Sequence, residues 1–184
     1  MNSHPDWVTS DLHFRHNNII RYCNRPWSNV DEMNEGLIER WNASVSNDQS
    51  VIIVGDVALV SSATSCEQVV GFLKRLNGRK TLVKGNHDTK LRIFQEAGFE
   101  KVVDHLVIDN VLIVHHPPDS CIKTRKLITQ FDPELIVHGH HHHESGGNRL
   151  FNVCVDIHDW KPVAWSQIEE RLIENAANPP LIGE

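Results

Sequence analysis

No apolar run in this 184-residue chain is long enough to cross a bilayer. The longest, Val51 to Val60, is interrupted by Gly55 and Asp56 and falls well short of the roughly 20 residues a membrane helix needs. Cysteine is scarce: Cys23, Cys66, Cys121 and Cys154 are scattered with no Cys-x-x-Cys pair, which argues against a zinc ribbon or a disulfide scaffold and fits reduced, mostly core thiols. The opening Met1-Asn2-Ser3-His4-Pro5-Asp6 has no basic segment followed by an apolar run, so no secretory signal is expected and the expected location is cytoplasmic. Positive charge is not in excess. With 18 Lys+Arg against 24 Asp+Glu the formal net charge is -6, so no broad footprint for duplex nucleic acid is expected, although a local metal site could still attract phosphate. The hydrophobic fraction of 40% is enough for a real core and sets disorder aside. One domain over residues 1–176 is expected, with 177–184 as a loose tail.

What the chain does have is histidine, 13 in all, a residue whose special uses are metal ligation and proton transfer. Four are consecutive, His140 to His143, but they lie inside the chain rather than at a terminus, so they belong to the fold and are not a tag. Short β-branched runs recur at Trp7–Thr9, Val51–Val54, Thr81–Val83, Val111–Val114 and Leu135–Val137. They lack polar alternation, as strands covered on both faces do. Between them the spacing predicts a helix through Met33, Leu37, Trp41 and Val45, capped by Ser28 or Asn29. Others are expected from Ser65 to Leu76, from Leu91 to Ala97 and from Ser166 to Asn175. Val102 to His115 reads as two strands turning at Asp109-Asn110, and Leu150 to Val155 as another strand. The class is α/β with a mixed sheet.

The residues that follow each apolar run carry the chemistry. The five runs lead in turn into Asp11 and His13, Asp56, Asn86 and His87, His115, and His140 and His142. Strand carboxyl ends line the ligand crevice of open α/β sheets, so these distant residues can converge on one site. Three carboxylate or amide groups with four imidazoles form a mixed oxygen and nitrogen set, suited to Mn, Fe, Zn, Ni or Co rather than Ca, and too rich for one ion. Two divalent ions sharing a carboxylate and a water can make hydroxide near neutrality and hold a phosphoryl group for attack. Phosphate ester hydrolysis is the reaction expected.

Asp11-Leu12-His13, Gly55-Asp56, Gly85-Asn86-His87-Asp88, His115 and Gly139-His140-His141-His142 resemble, in order, the signature of the calcineurin-like metallophosphoesterases, with the likeness running from about Val8 to Ile168. Phe14 to Ile20 and Arg25-Pro26-Trp27 are similar to the small uncapped bacterial and phage members. The resemblance implies a sandwich of two mixed β-sheets flanked by α-helices, with a binuclear centre holding two divalent ions, Mn first. Asp11, His13, Asp56 and His142 are the implied ligands of one ion. Asp56, Asn86, His115 and His140 are those of the other, with Asp56 bridging. His87 matches the catalytic histidine, which binds phosphate and protonates or stabilises the leaving oxygen. One block departs from the pattern: Leu59 stands where the family often has an Asp that charges this histidine, and no Arg follows it. Protein Ser/Thr phosphatase activity is therefore not expected. Asp88 is the available substitute but, adjacent in sequence, is expected to point elsewhere.

Arg15, His16 and His116 are candidate substrate contacts, each weighed against an ordinary loop role. His138 is either site-facing or buried against a backbone partner, and His141 and His143 should point away. Asp156 and Asp159 could steady a site histidine, with turn formation the blander account. Lys123, Arg125 and Lys126 read as a basic loop, either solvated or attractive to a polyphosphate or nucleotide. The partner expected is a small phosphomonoester or phosphodiester, with no membrane association; the oligomeric state is left open. A nuclease, a non-catalytic scaffold of the same fold, and metal sequestration by the histidine run are the alternatives. Net charge and the lack of a capping insertion weigh against the first, and the full ligand set against the second.

Overall fold

The computed structural model describes residues 4–143 and 147–177; the expected loose tail lies almost wholly outside them. Among those residues two β-sheets lie face to face with helices on the outside. The first sheet has the order β4-β3-β2-β1-β9, from β1 (Trp7–Thr9), β2 (Ser50–Val54), β3 (Arg79–Val83), β4 (Lys101–Val103) and β9 (Val163–Ala164). The second has the order β5-β6-β7-β8, from β5 (Leu106–Ile108), β6 (Val111–Ile113), β7 (Leu135–His138) and β8 (Leu150–Asn152). Among the described strands only β9 and β5 pair antiparallel with their neighbours, so both sheets are mixed and the expected sandwich class holds.

The unbroken apolar runs follow from burial on both faces. Along β2, Val51 and Ile53 face the helices while Ile52 and Val54 face the other sheet. In β6, Val111 and Ile113 point between the sheets, and Leu112 points outward to Leu127 and Ile128. Opposite faces of one strand therefore serve two cores, and polar alternation has no place.

Among the described residues six α-helices cover the sheets: α1 (Asn17–Tyr22), α2 (Val30–Ser44), α3 (Ala63–Arg75), α4 (Arg92–Glu96), α5 (Ile122–Phe131) and α6 (Trp165–Ala177). Asn29 caps α2 by accepting from the N–H groups of Asp31 and Glu32, and Ser62 and Ser65 form a reciprocal box at the start of α3. Four helices were expected close to these bounds, but α1 and α5 were not. The basic loop predicted at Lys123–Lys126 is a helix, because Thr124, Leu127 and Ile128 give it an inward stripe beneath the charges. The segment Val102–His115 holds three strands rather than two. Its hairpin does turn at Asp109-Asn110, with Asp109 left-handed at φ 50°, but β4 before it belongs to the other sheet. The strand expected over Leu150–Val155 stops at Asn152 and gives way to a helical turn at Val155–Ile157.

Candidate metal centre

The carboxyl ends of β1, β2, β3, β6 and β7 lead to one polar cluster. Two carboxylates form its centre, each with one oxygen fixed and the other presented. Asp11 Oδ2 accepts from Ser10 Oγ at 2.5 Å and from the His140 N–H at 3.0 Å. Its Oδ1 is buried without a hydrogen-bond partner, 3.9 Å from His13 Nε2 and 3.8 Å from His142 Nε2. Asp56 Oδ1 accepts from the His87 N–H at 3.0 Å, while Oδ2 lies 3.8 Å from His13 Nε2, 3.8 Å from His87 Nε2 and 3.4 Å from His115 Nε2. One oxygen of Asp56 thus faces three imidazoles.

The histidines are oriented from behind. His115 Nδ1 lies 2.8 Å from Val54 O, so it carries the proton there and turns Nε2 inward. His142 Nδ1 is 2.6 Å from Asp156 Oδ2, and His13 Nδ1 is 3.2 Å from His16 Nδ1. Along with Asp11 Oδ1, the buried Nε2 atoms of His13 and His115 have no hydrogen-bond partner among the described residues. Such orphans are rare in a folded interior, and a carboxylate oxygen and imidazole nitrogens sharing one space make the donor set of a transition metal.

Backbone conformation supports the same reading. Asp11, His13, Asp56 and His140 all adopt left-handed φ, between 53° and 70°. Each costs of order 1–3 kcal/mol in a non-glycine residue, and such strain gathers at functional sites. Gly85 and Gly139 make the approach possible: a Cβ on Gly85 would collide with Asp56 Oδ1, and one on Gly139 with Ser10 Oγ and Asp11 Oδ2.

Electrostatics follow from packing negative charge into this space. Burial raises the Asp11 carboxyl above its usual range. Burial pushes Asp56 up too, but His115, 3.4 Å away, together with the His87 N–H and His13 outweighs it and holds the carboxyl well below normal. Burial would lower His115, yet Asp56 and Asp11 lift it to about 9; Asp156 likewise lifts His142 to about 10. Burial and the neighbouring His115 and His116 push His140 down to about 4. Buried carboxylates here hold protons on adjacent imidazoles in the place a cation could take.

Ligand-capable atoms fall into overlapping sets whose members lie within 4.8 Å of one another: Asp11, His13 and His142; Asp11, Asp56 and His115; His13, Asp56 and His87; and His115, His116 and His140. Seven of the predicted residues are thereby brought together, and His116 stands with the ligands rather than merely beside them. Asn86 is exposed and lines an adjoining groove with His116. His16 lies at the margin, its ring centroid 5.1 Å from that of His13 and 6.2 Å from that of His87. The guanidinium of Arg15 bonds to the Gln68 side chain of α3, and the structure does not bring it into the cluster. His138 is fully buried with Nδ1 2.9 Å from Gly139 O, the backbone-bound alternative, and His141 stacks on His143. Asp88 does point elsewhere: its carboxylate accepts from the N–H groups of Asp56, Val57 and Gly85, holding the loop that presents Asp56.

Two residues were undervalued from sequence. Asp156, weighed mainly as a turn former, receives His142 and a bidentate Arg25, whose Nε and Nη2 lie 2.7 Å and 2.9 Å from its oxygens. Arg25, buried at 4% exposure, also donates to the carbonyls of Asp11 and Leu12. It therefore locks the first ligand loop to the residue behind His142. Removing one partner of such a pair strands a buried charge, so Arg25→Met should cost about 3–5 kcal/mol. Urea unfolding of the variant checks this. Cys23, expected only as core, lies with His142 and Asp156 in a further group of close ligand atoms.

Comparison with known proteins shows the family. The calcineurin-like phosphoesterase family model matches residues 5–110. An uncharacterized protein of Methanocaldococcus jannaschii is 34% identical over 179 residues, 91% of this chain and 90% of the relative. The Gene 66 protein of Mycobacterium phage L5 is 27% identical over 162 residues, 74% of this chain and 76% of that protein. The crystal structure of a protein of unknown function from Aquifex aeolicus shares the fold, with TM-score 0.73 and 24% identity over 89% of this chain and 97% of that one. The chain belongs to the calcineurin-like phosphoesterase family. Phosphoester hydrolysis assisted by divalent metal is the chemistry that membership supports.

Proposed function

We propose that this protein hydrolyses small phosphomonoesters or phosphodiesters at a binuclear centre, with Asp11, His13, Asp56 and His142 holding one divalent ion and Asp56, Asn86, His115 and His140 the other. Mn is the expected metal. The observation that carries the reading is the unpartnered, buried trio of Asp11 Oδ1, His13 Nε2 and His115 Nε2 around the presented oxygen of Asp56. Two such ions would supply a water of lowered pKa and neutralise phosphoryl charge.

The chain's own residues do the rest. Asp56 offers one oxygen to both halves of the cluster because its other oxygen is tied to the His87 N–H. His87, its side chain 38% exposed, stands at the mouth with Nε2 toward Asp56, placed to hold a phosphoryl oxygen and pass a proton to the leaving oxygen. His16 flanks it. Asp156 fixes the ring of His142 and raises its basicity, the usual role of a carboxylate behind a ligand histidine. Asp156→Asn should weaken Mn binding and hydrolysis together by about 10–100-fold, read by metal titration.

The experiment is hydrolysis of p-nitrophenyl phosphate and bis-p-nitrophenyl phosphate by chelator-stripped protein, then with Mn, Fe, Zn, Ni or Co restored. Activity should vanish on stripping and return with metal, Mn first. Absence of activity with every metal would overturn the proposal. No helix among the described residues is long and apolar enough to cross a membrane.

A further inference from the structure

A cavity of about 470 Å³ opens beside the cluster, with His115 and His116 in its wall. Its size lies in the roughly 300–1,000 Å³ range of small-molecule sites. A groove of about 440 Å³ shares Lys84, Asp104 and His116 with it and continues past Asn86 to Thr89. The cavity is therefore continuous with the side of the cluster that His115, His116 and Asn86 form.

Its remaining lining has two characters. Val114 and Leu127 are apolar, while Lys84, Lys123 and Lys126 bring three ammonium groups into a protein whose net charge is -6. Lys84 is neutralised by Asp104 at 2.7 Å. Among the described residues Lys126 forms no ion pair, and Lys123, without pairing directly, helps Lys84 hold the Asp104 carboxyl below its usual range. Lys123 and Lys126 are exposed and three residues apart on α5, so they share a helix face and can converge on one multiply charged anion. Leu127 and Ile128 pack that helix against β6, which fixes the backbone that carries the lysines beside the site.

We infer that this cavity receives the alcohol part of the substrate and selects phosphate esters whose alcohol part carries a second phosphate group. Lys123 and Lys126 are its counter-charges, and Val114 and Leu127 the floor beneath the carbon skeleton. The inference rests on the phosphohydrolase reading, which supplies the first phosphate's place at the metal ligands, and it names the class of substrate.

Cys121 lies in the same lining and offers a readout independent of turnover. Burial raises its thiol, but the N–H groups of Thr124 and Lys123 at the start of α5 more than offset that and hold it below the usual value. The experiment measures alkylation of Cys121 by iodoacetamide, followed by peptide mass mapping, in metal-loaded protein with a hexose bisphosphate, a hexose monophosphate or inorganic phosphate. The same compounds are assayed as substrates where they are esters. The bisphosphate should protect Cys121 at concentrations about tenfold below the monophosphate and be hydrolysed with about tenfold higher kcat/KM. Lys123→Ala with Lys126→Ala, both exposed positions, should erase both preferences. Equal protection by the two esters, or a preference that survives in the double variant, overturns the inference. Protection without hydrolysis of any ester would leave the subsite standing and refute the hydrolase reading. Hydrolysis of p-nitrophenyl phosphate without selective protection would do the reverse.

Discussion

Asp56→Asn should lower hydrolysis of either chromogenic ester by at least about 10³-fold while leaving the fold in place. The magnitude follows from where each oxygen is committed. Asp56 Oδ1 must accept the His87 N–H at 3.0 Å, so an asparagine would keep its carbonyl oxygen there and turn its amide NH₂ into the position of Oδ2. That position faces the Nε2 atoms of His13, His87 and His115 at 3.8, 3.8 and 3.4 Å. A donor group would then stand where the two ions of the proposed centre would need a shared anion. The apolar cores on either side of the first sheet are untouched, so circular dichroism should be unchanged. A variant retaining a tenth or more of wild-type activity would show that Asp56 is not the shared ligand.

His87→Ala should act differently, with the chemistry slowed and the metals retained. General acid assistance contributes about 10²–10⁴-fold, and the full loss is expected with an alkyl phosphate, whose leaving oxygen must be protonated. With p-nitrophenolate, a good leaving group, the loss should be markedly smaller. Metal content per chain, measured by atomic emission, should match the wild type, because the half-exposed His87 stands at the mouth while His13 and His115 are almost wholly buried. His87 also falls in one ligand-capable set with His13 and Asp56, so the comparison decides its role. Loss of one metal equivalent would make it a ligand, and equal losses with both leaving groups would remove the proton-transfer role. Leu59 supplies no carboxylate to this ring and Asp88 is spent on three backbone N–H groups; Asp56 is the carboxylate that faces it.

Most of the site was legible because its residues sit immediately after strands, and a strand buried on both faces writes itself as an apolar run with a sharp polar end. Asp11, Asp56 and His115 could be placed from that rule alone, before any family likeness. Arg25 and Asp156 could not: they are separated by 131 positions, and a buried ion pair leaves no periodic mark in either local segment. Their pairing exists only after the first ligand loop and the turn at Val155–Ile157 have come together. Helix α5 was hidden for another reason. Its lysines and arginine dominate a ten-residue segment whose inward stripe is short, so charge outweighed spacing. The step of the chain from β4 in one sheet to β5 in the other was equally silent, since Val102-Val103 and Leu106–Ile108 are short apolar runs of the same kind and hydrophobic pattern does not name a pairing partner. The basic segment misread as a loop is the one that walls the cavity beside His116.

The most direct test of the central claim is a titration of chelator-stripped protein with Mn, following the rate of bis-p-nitrophenyl phosphate hydrolysis against equivalents added. A two-ion centre requires a rate near zero in stripped protein that rises until two ions are bound per chain and then levels. Hydrolysis that persists in stripped protein, or that reaches its full rate at a single equivalent, would contradict it.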